Sequence, residues 1–214
     1  MRDNQSEASF NVGLDDLAPA VRIREIALRL FAENGPAATS IRMVAASAGV
    51  STGAILHHYK SKDALEQAVL ESVLSRMSDA ITGVGLDLPT LDAMRARRAA
   101  TESFMRNNPA IAAYLRHVYF VGGLPAARVF HAMGAMQRDQ MQQLIAAGIA
   151  RPLPDPEIGL LLYHAITAAP MLLRPLLEGT SDLDLDDPAV YHRFLEAGID
   201  LLTRPLFISP QAED

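Results

Sequence analysis

Apolar positions recur at helical spacing along nearly the whole chain. Ile23, Ile26, Ala27, Leu30 and Phe31 follow the i, i+3, i+4, i+7, i+8 pattern of one buried helix face, in a helix beginning near Ala18. Asn34-Gly35-Pro36 predicts its end, because glycine takes a left-handed cap and proline cannot continue the turn. Thr39 or Ser40 is placed to cap a second helix over residues 41–48, with Ile41, Val44, Ala45 and Ala48 inward. Gly49-Val50 reads as a tight turn. Ser51 caps a third, short helix from Thr52 to about Tyr59 with Ile55 inward. Ser61 caps a fourth, whose stripe is Leu65, Ala68, Val69, Ser72, Val73 and Met77.

The remainder repeats this signature. Helices are predicted over 90–106, 109–119, 125–147 and 155–177, and from Pro188 to Arg204-Pro205. The first of these has Leu91, Met94, Phe104 and Met105 on its apolar side. Asp155 with Pro156 opens the fourth of them, and Asp187 caps the last. No alternating strand pattern reaches five residues between turn signals. The fold class is therefore all-α, with about nine helices. Residues 1–17 are polar and small without a period and read as a mobile arm.

The apolar segment 158–177 is long enough to raise a membrane question, but His164, Pro170, Arg174 and Pro175 interrupt it. It reads as a helix buried on both sides, with the prolines bending or breaking it. The polar N-terminus carries no apolar run of an export signal, and a cytoplasmic location is expected. The 214 residues are half hydrophobic, enough for a real core, and hold no cysteine. That removes disulfides, thiolate metal sites and a cysteine nucleophile. No cofactor and no metal site is expected; His57-His58 is a poor metal pair, since adjacent helical residues point apart.

Net charge is −6, but it is unevenly spread. Residues 20–62 carry Arg22, Arg24, Arg29, Arg42, Lys60 and Lys62 against only Glu25 and Glu33, whereas the rest of the chain beyond them is acidic. A small basic unit therefore precedes a larger acidic one. In the basic unit, two short helices joined by a glycine turn behind a third form a helix-turn-helix pattern. Ala45 is small where the two helices cross, Gly49 supplies positive φ, and Val50 and Ile55 pin the second helix. Its outer face is then free for a DNA major groove.

A longer string is more specific. Arg24-Glu-Ile-Ala-Leu-Arg-Leu-Phe-Ala-Glu-Asn-Gly35, followed by Thr39-Ser-Ile-Arg-Met-Val-Ala-Ala-Ser-Ala-Gly-Val-Ser-Thr-Gly-Ala-Ile-Leu-His-His-Tyr-Lys-Ser-Lys-Asp-Ala-Leu65, resembles the DNA-binding segment of the TetR (tetracycline-repressor-like) family. The resemblance covers residues 22–65, and 66–214 resembles the family only in layout. It implies an N-terminal three-helix DNA-binding domain at 18–65 and a larger helical effector-binding and dimerisation domain at 66–214. By this likeness Thr52, Gly53 and His57 lie on the base-reading face, with Leu56 as an apolar contact, and Ser51 belongs to the DNA-binding set. Thr39, Ser40, Arg42, His58, Tyr59 and Lys62 lie at or near positions that hold the DNA backbone. Leu56 replaces a family tyrosine whose hydroxyl touches phosphate, and Met43 replaces a common acidic residue.

The resemblance further implies a repressor that binds a palindromic operator as a homodimer through about 155–178 and 187–204, released by a small effector. Phe104, Met105, Tyr114, His117, Phe120, Phe130, Met133, Tyr163, His164 and Thr167 are the candidate effector residues. They suggest a hydrophobic or amphipathic organic molecule. An enzyme is disfavoured because no Gly-x-Ser-x-Gly, His-Glu-x-x-His or phosphate-loop string is present. The alternative reading is a helical interaction or ligand-sensing protein of the same fold with altered or lost DNA binding.

Overall fold

A computed structural model describes residues 17–82, 84, 91–148, 155–177, 183–185 and 187–203. The expected arm at 1–17 lies, except for Leu17, outside the described residues. The described residues form nine helices and no strand: α1 (Pro19–Asn34), α2 (Ile41–Ala48), α3 (Thr52–Tyr59), α4 (Lys62–Ile81), α5 (Leu91–Asn107), α6 (Pro109–Val121), α7 (Gly123–Ala146), α8 (Pro156–Leu177) and α9 (Pro188–Thr203). The all-α expectation holds.

The chain forms two compact units. One takes in the described residues up to Ser78 together with Met105–Pro125; the other takes in Asp79–Phe104 and the residues from Ala126 onward. In the first unit α1 buries Ile23, Ile26, Ala27, Leu28 and Phe31. Leu28 is enclosed, whereas Leu30 is only half-buried, so the buried face is wider and turned from the one the pattern predicts. Beyond α2 and α3, α1 also packs against α6, which the sequence division at residue 65 leaves out of this unit. The rings of Phe31 and Tyr114 stack with centroids 6.1 Å apart. Arg76 of α4 donates to Glu25 at 3.2 Å and to the Asn108 side-chain oxygen at 2.8 Å, tying α4 to α1 and to the start of α6.

In the second unit α7 and α8 approach closely, with Gly134 facing Leu160. Gln137 of α7 donates to the Thr167 hydroxyl of α8 at 3.1 Å, and the Tyr163 hydroxyl donates to Gln140 at 3.3 Å. The α8–α9 approach is closer still. A Cβ at Gly198 would stand 2.8 Å from Ile166, so only glycine fits there. Asp155 and Asp187 cap α8 and α9 as predicted, accepting from Glu157 and Ile158, and from Ala189.

Two features of α8 bear on the sequence expectations. The helix runs through Pro170 and Pro175 without a break. Each proline removes one backbone donor, and the turns around it hold the helix. Nor is α8 buried on both sides within the chain. Tyr163, His164 and Pro170 face inward, but Ile158, Leu161, Leu162, Leu173 and Leu176 are exposed. By length and composition α8 is also the one described helix apolar enough to cross a membrane.

Candidate nucleic-acid interface

The segment that displays α3 is built from local rules. Ser40 caps α2 by accepting from the Met43 N–H at 3.2 Å. Val44, Ala45 and Ala48 turn inward, while Ile41 is only half-buried. Gly49 then takes the left-handed conformation, φ 64° and ψ 31°, and its N–H returns to the carbonyls of Ala45 and Ala46. The space around Gly49 is open, so the backbone angle rather than crowding requires glycine. Ser51 caps α3 by accepting from the Ala54 N–H at 3.1 Å. Ile55 is fully buried and anchors the helix.

With Ile55 its one fully buried residue and Ala54 and Tyr59 half-buried, α3 leaves the other five outside. Thr52, Gly53, His57 and His58 are exposed, and Leu56 is 42% exposed despite its apolar side chain. Ser40, Arg42, Met43 and Ser51 are exposed beside them along the chain. Lys60 closes α3 in an unusual way, with φ 63° on a residue that has a Cβ, and its ammonium donates to the His57 carbonyl at 3.0 Å. Lys60 is absent from the contacts expected from sequence, although its position after the helix and its charge could have signalled it.

Three expected backbone-holding residues are engaged inside the unit. The sequence reading places Thr39 at the DNA backbone, but Thr39 is 1% exposed. Its hydroxyl lies 2.9 Å from the Gly35 carbonyl and 3.2 Å from the Leu30 carbonyl, and its N–H goes to Pro36. Thr39 thus ties the α1–α2 connection together. Tyr59 is half-buried, and its hydroxyl donates to the Ala20 carbonyl of α1. Burial, outweighing the nearby Arg24, raises its pKa further. Lys62 is half-buried, donates to the Ala37 carbonyl at 3.3 Å and pairs with Glu66 at 3.5 Å. A long flexible side chain on the surface exchanges such partners readily, which the Thr39 hydroxyl cannot do.

The expected effector residues divide between the two units. Met105, Tyr114, His117 and Phe120 fall in the first. Tyr114 is core, packed on Phe31. The His117 Nε2–H donates to the Ala32 carbonyl at 3.2 Å, and its ring packs where a Cβ on Gly35 would stand. Phe120 is exposed, at 71%. These residues therefore lie in a different unit from the other candidates, because helical spacing cannot tell which neighbour an apolar face will meet. Phe104, Phe130, Met133, Tyr163, His164 and Thr167 do fall in the second unit. There the Phe130 and His164 rings meet edge to face at 4.9 Å, and burial lowers the His164 pKa. The sequence reading missed Arg98, which is buried. Its signal is spacing: residue 98 follows Leu91 by seven and Met94 by four, on the apolar stripe of α5.

Residues 23–69 match the family model described as bacterial regulatory proteins, tetR family. The chain is 28% identical to the HTH-type transcriptional regulatory protein RaaS of Mycobacterium tuberculosis, over 84% of this chain and 93% of that protein. A second relative, the HTH-type transcriptional repressor Rv3405c of Mycobacterium tuberculosis, is 42% identical over 31% of this chain and 34% of its own length. The structure of AibR in complex with isovaleryl coenzyme A and operator DNA superposes with a TM-score of 0.65. It is 17% identical and covers 88% of this chain and 100% of that one, a likeness of fold. Matched segment, relatives and fold agree in pointing to a tetR-type bacterial transcriptional regulator, the match to the family itself lying at residues 23–69.

Proposed function

We propose that this regulator is a homodimeric repressor that binds a palindromic operator through α3 and is released by a small hydrophobic or amphipathic effector. The observation that carries the reading is α3 itself, held by buried Ile55 while Thr52, Gly53, Leu56 and His57 remain outside. Ser51, Thr52, Gly53, Leu56 and His57 read base edges, with Leu56 against a thymine methyl. Ser40, Arg42, His58 and Lys62 hold phosphates, joined by Lys60, while Thr39 and Tyr59 support them from within.

One such helix reads few base pairs, so two are needed, about 34–36 Å apart on the duplex. The exposed apolar stripe of α8 supports the dimer, with Ile158, Leu162, Leu173 and Leu176 at helical spacing. Together with α9 it would form an intermolecular four-helix bundle over about 155–178 and 187–204, of which 178 and 204 lie outside the described residues. In this reading 18–65 is the DNA-binding domain and 66–214 senses the effector and dimerises. Packing of α6 on α1 supplies the link: α6 belongs to the sensing segment by sequence and to the DNA-binding unit by contact. An effector that fits only one arrangement of the heads lowers operator affinity. A cytoplasmic location follows from that role.

Selection of duplexes from a random pool by the purified full-length protein tests the reading. Enrichment of a palindrome whose affinity falls steeply with added salt is expected. Enrichment of nothing, or of a sequence without two-fold symmetry, overturns it and favours an interaction protein.

A further inference from the structure

Arg98 of α5 is 6% exposed, in the unit made of Asp79–Phe104 and the residues from Ala126 onward. Its Nη1 and Nη2 are both buried, and neither has a hydrogen-bond partner among the described residues. The guanidinium lies against α9, with Nη2 and Nη1 3.7 and 3.8 Å from where a Cβ on Gly198 would stand. A carboxylate is close by but already taken. The two oxygens of Glu196 accept from Arg95 Nε and Nη2, each at 3.1 Å, and Glu196 also pairs with nothing from Arg98.

The groups that act electrostatically on Arg98, besides Glu196, are the phenols of Tyr163 and Tyr191. Tyr163 is buried and donates to Gln140, whose own Nε2 is buried without a partner. Unsatisfied buried donors thus occur at Arg98 and Gln140, with one unsatisfied buried acceptor, Gln137 Oε1, on the same helix as Gln140. Burial lowers the Arg98 pKa. Arginine nonetheless keeps its charge in proteins, so Arg98 is a desolvated cation with no carboxylate bonded to it among the described residues. A buried charge left in that state is strongly unfavourable, and a bound anion relieves it.

A single guanidinium narrows the anion. Arg95 is shared by Asp92 and Glu196, so Arg98 is the group left without a bonded carboxylate, which suits a monoanion. The planar guanidinium fork matches a carboxylate through two parallel hydrogen bonds. Ile166 on the facing helix, 2.8 Å from the same Gly198 Cβ position, makes the neighbourhood apolar. We propose that Arg98 receives the carboxylate of a small amphipathic organic acid, with Tyr163 and Gln140 as neighbouring polar groups, and that this acid is the effector. The proposal rests on the reading that 66–214 senses an effector.

The test uses the full-length protein and straight-chain monocarboxylates from butanoate to dodecanoate, with benzoate and phenylacetate, each beside its primary amide. Calorimetry and thermal shift report binding. At least one acid is expected to bind about ten-fold or more tightly than its amide, the preference of a charge-assisted fork. Arg98→Met should erase that preference by weakening the acid far more than the amide, and Arg98→Lys should retain part of it. The acid-over-amide ratio separates a ligand contact from a structural role, which would move both compounds alike. Acids and amides that bind equally, an Arg98→Met protein that keeps the preference, or no binding of any acid overturns the proposal. If amides or other neutral compounds release operator DNA and acids do not, the proposal fails while the effector reading stands. If no compound alters DNA binding or stability, both fail.

Discussion

Three polar side chains of the first unit and Arg98 of the second are held in opposite ways. In the first, Thr39, Tyr59 and His117 each send a donor to a backbone carbonyl: Leu30 or Gly35, Ala20, and Ala32. All four carbonyls belong to α1 or its end, so the helix behind the reading head is tied from several sides. In the second unit Arg98 carries a buried charge with no such tie. A reading helix must be held at fixed geometry, and satisfied hydrogen bonds do that. A sensing unit must lose something when empty and gain it when filled, and an unsatisfied donor does that.

That contrast gives mutations of different sign. The largest effect is expected at Phe31, where α1 meets Tyr114 of α6. Phe31→Ala should cost about 3–5 kcal/mol in urea unfolding and abolish operator binding with it. A small loss would mean that α6 is not part of the core of this unit. Thr39→Val keeps the shape and strands the Gly35 carbonyl, Leu30 still accepting from Asn34, so it should cost about 1–3 kcal/mol. Arg98→Met removes an unpaired buried charge, and the ligand-free protein should melt at the same temperature or higher. If the two substitutions destabilise alike, the contrast between the units is wrong. Gly49→Ala should cost about 1–2 kcal/mol, because a Cβ is strained at φ 64° even with open space around it.

The smaller predictions concern charge. Arg42→Ala should weaken binding to all duplexes similarly and reduce the salt slope by about one, the behaviour of one phosphate contact. His164 supplies a pH dependence in the second unit. Burial depresses its folded-state pKa, so the unfolded chain binds the proton more readily. Stability from this residue is fully present above the unfolded value, about 6.5, and is lost as pH falls from there through the lower folded value. Unfolding curves at several pH values on either side should show the loss, and His164→Phe should flatten it.

Much of the first unit was legible because its signals are local. Ser40 and Ser51 cap the two short helices, Gly49 makes the turn, and Ile55 alone of α3 is fully buried. Each of these depends on residues within a few positions, as do the caps at Asp155 and Asp187. The candidate site was less legible where a side chain had two ways to point. Thr39 is a plausible surface donor by sequence, and only the return of the chain onto Leu30 and Gly35 shows where its hydroxyl goes.

The chain's own order of residues decided the helices, the glycine turn and the outward face of α3, since capping and 3.6-residue periodicity act over one or two turns. Tertiary packing alone decided that α6 joins α1, which set Tyr114 and His117 against that helix, and that Glu196 spends both oxygens on Arg95, which leaves Arg98 without a bonded carboxylate. Both depend on partners distant in sequence, the second pair about a hundred residues apart, and no local pattern records which of several apolar or charged faces will meet.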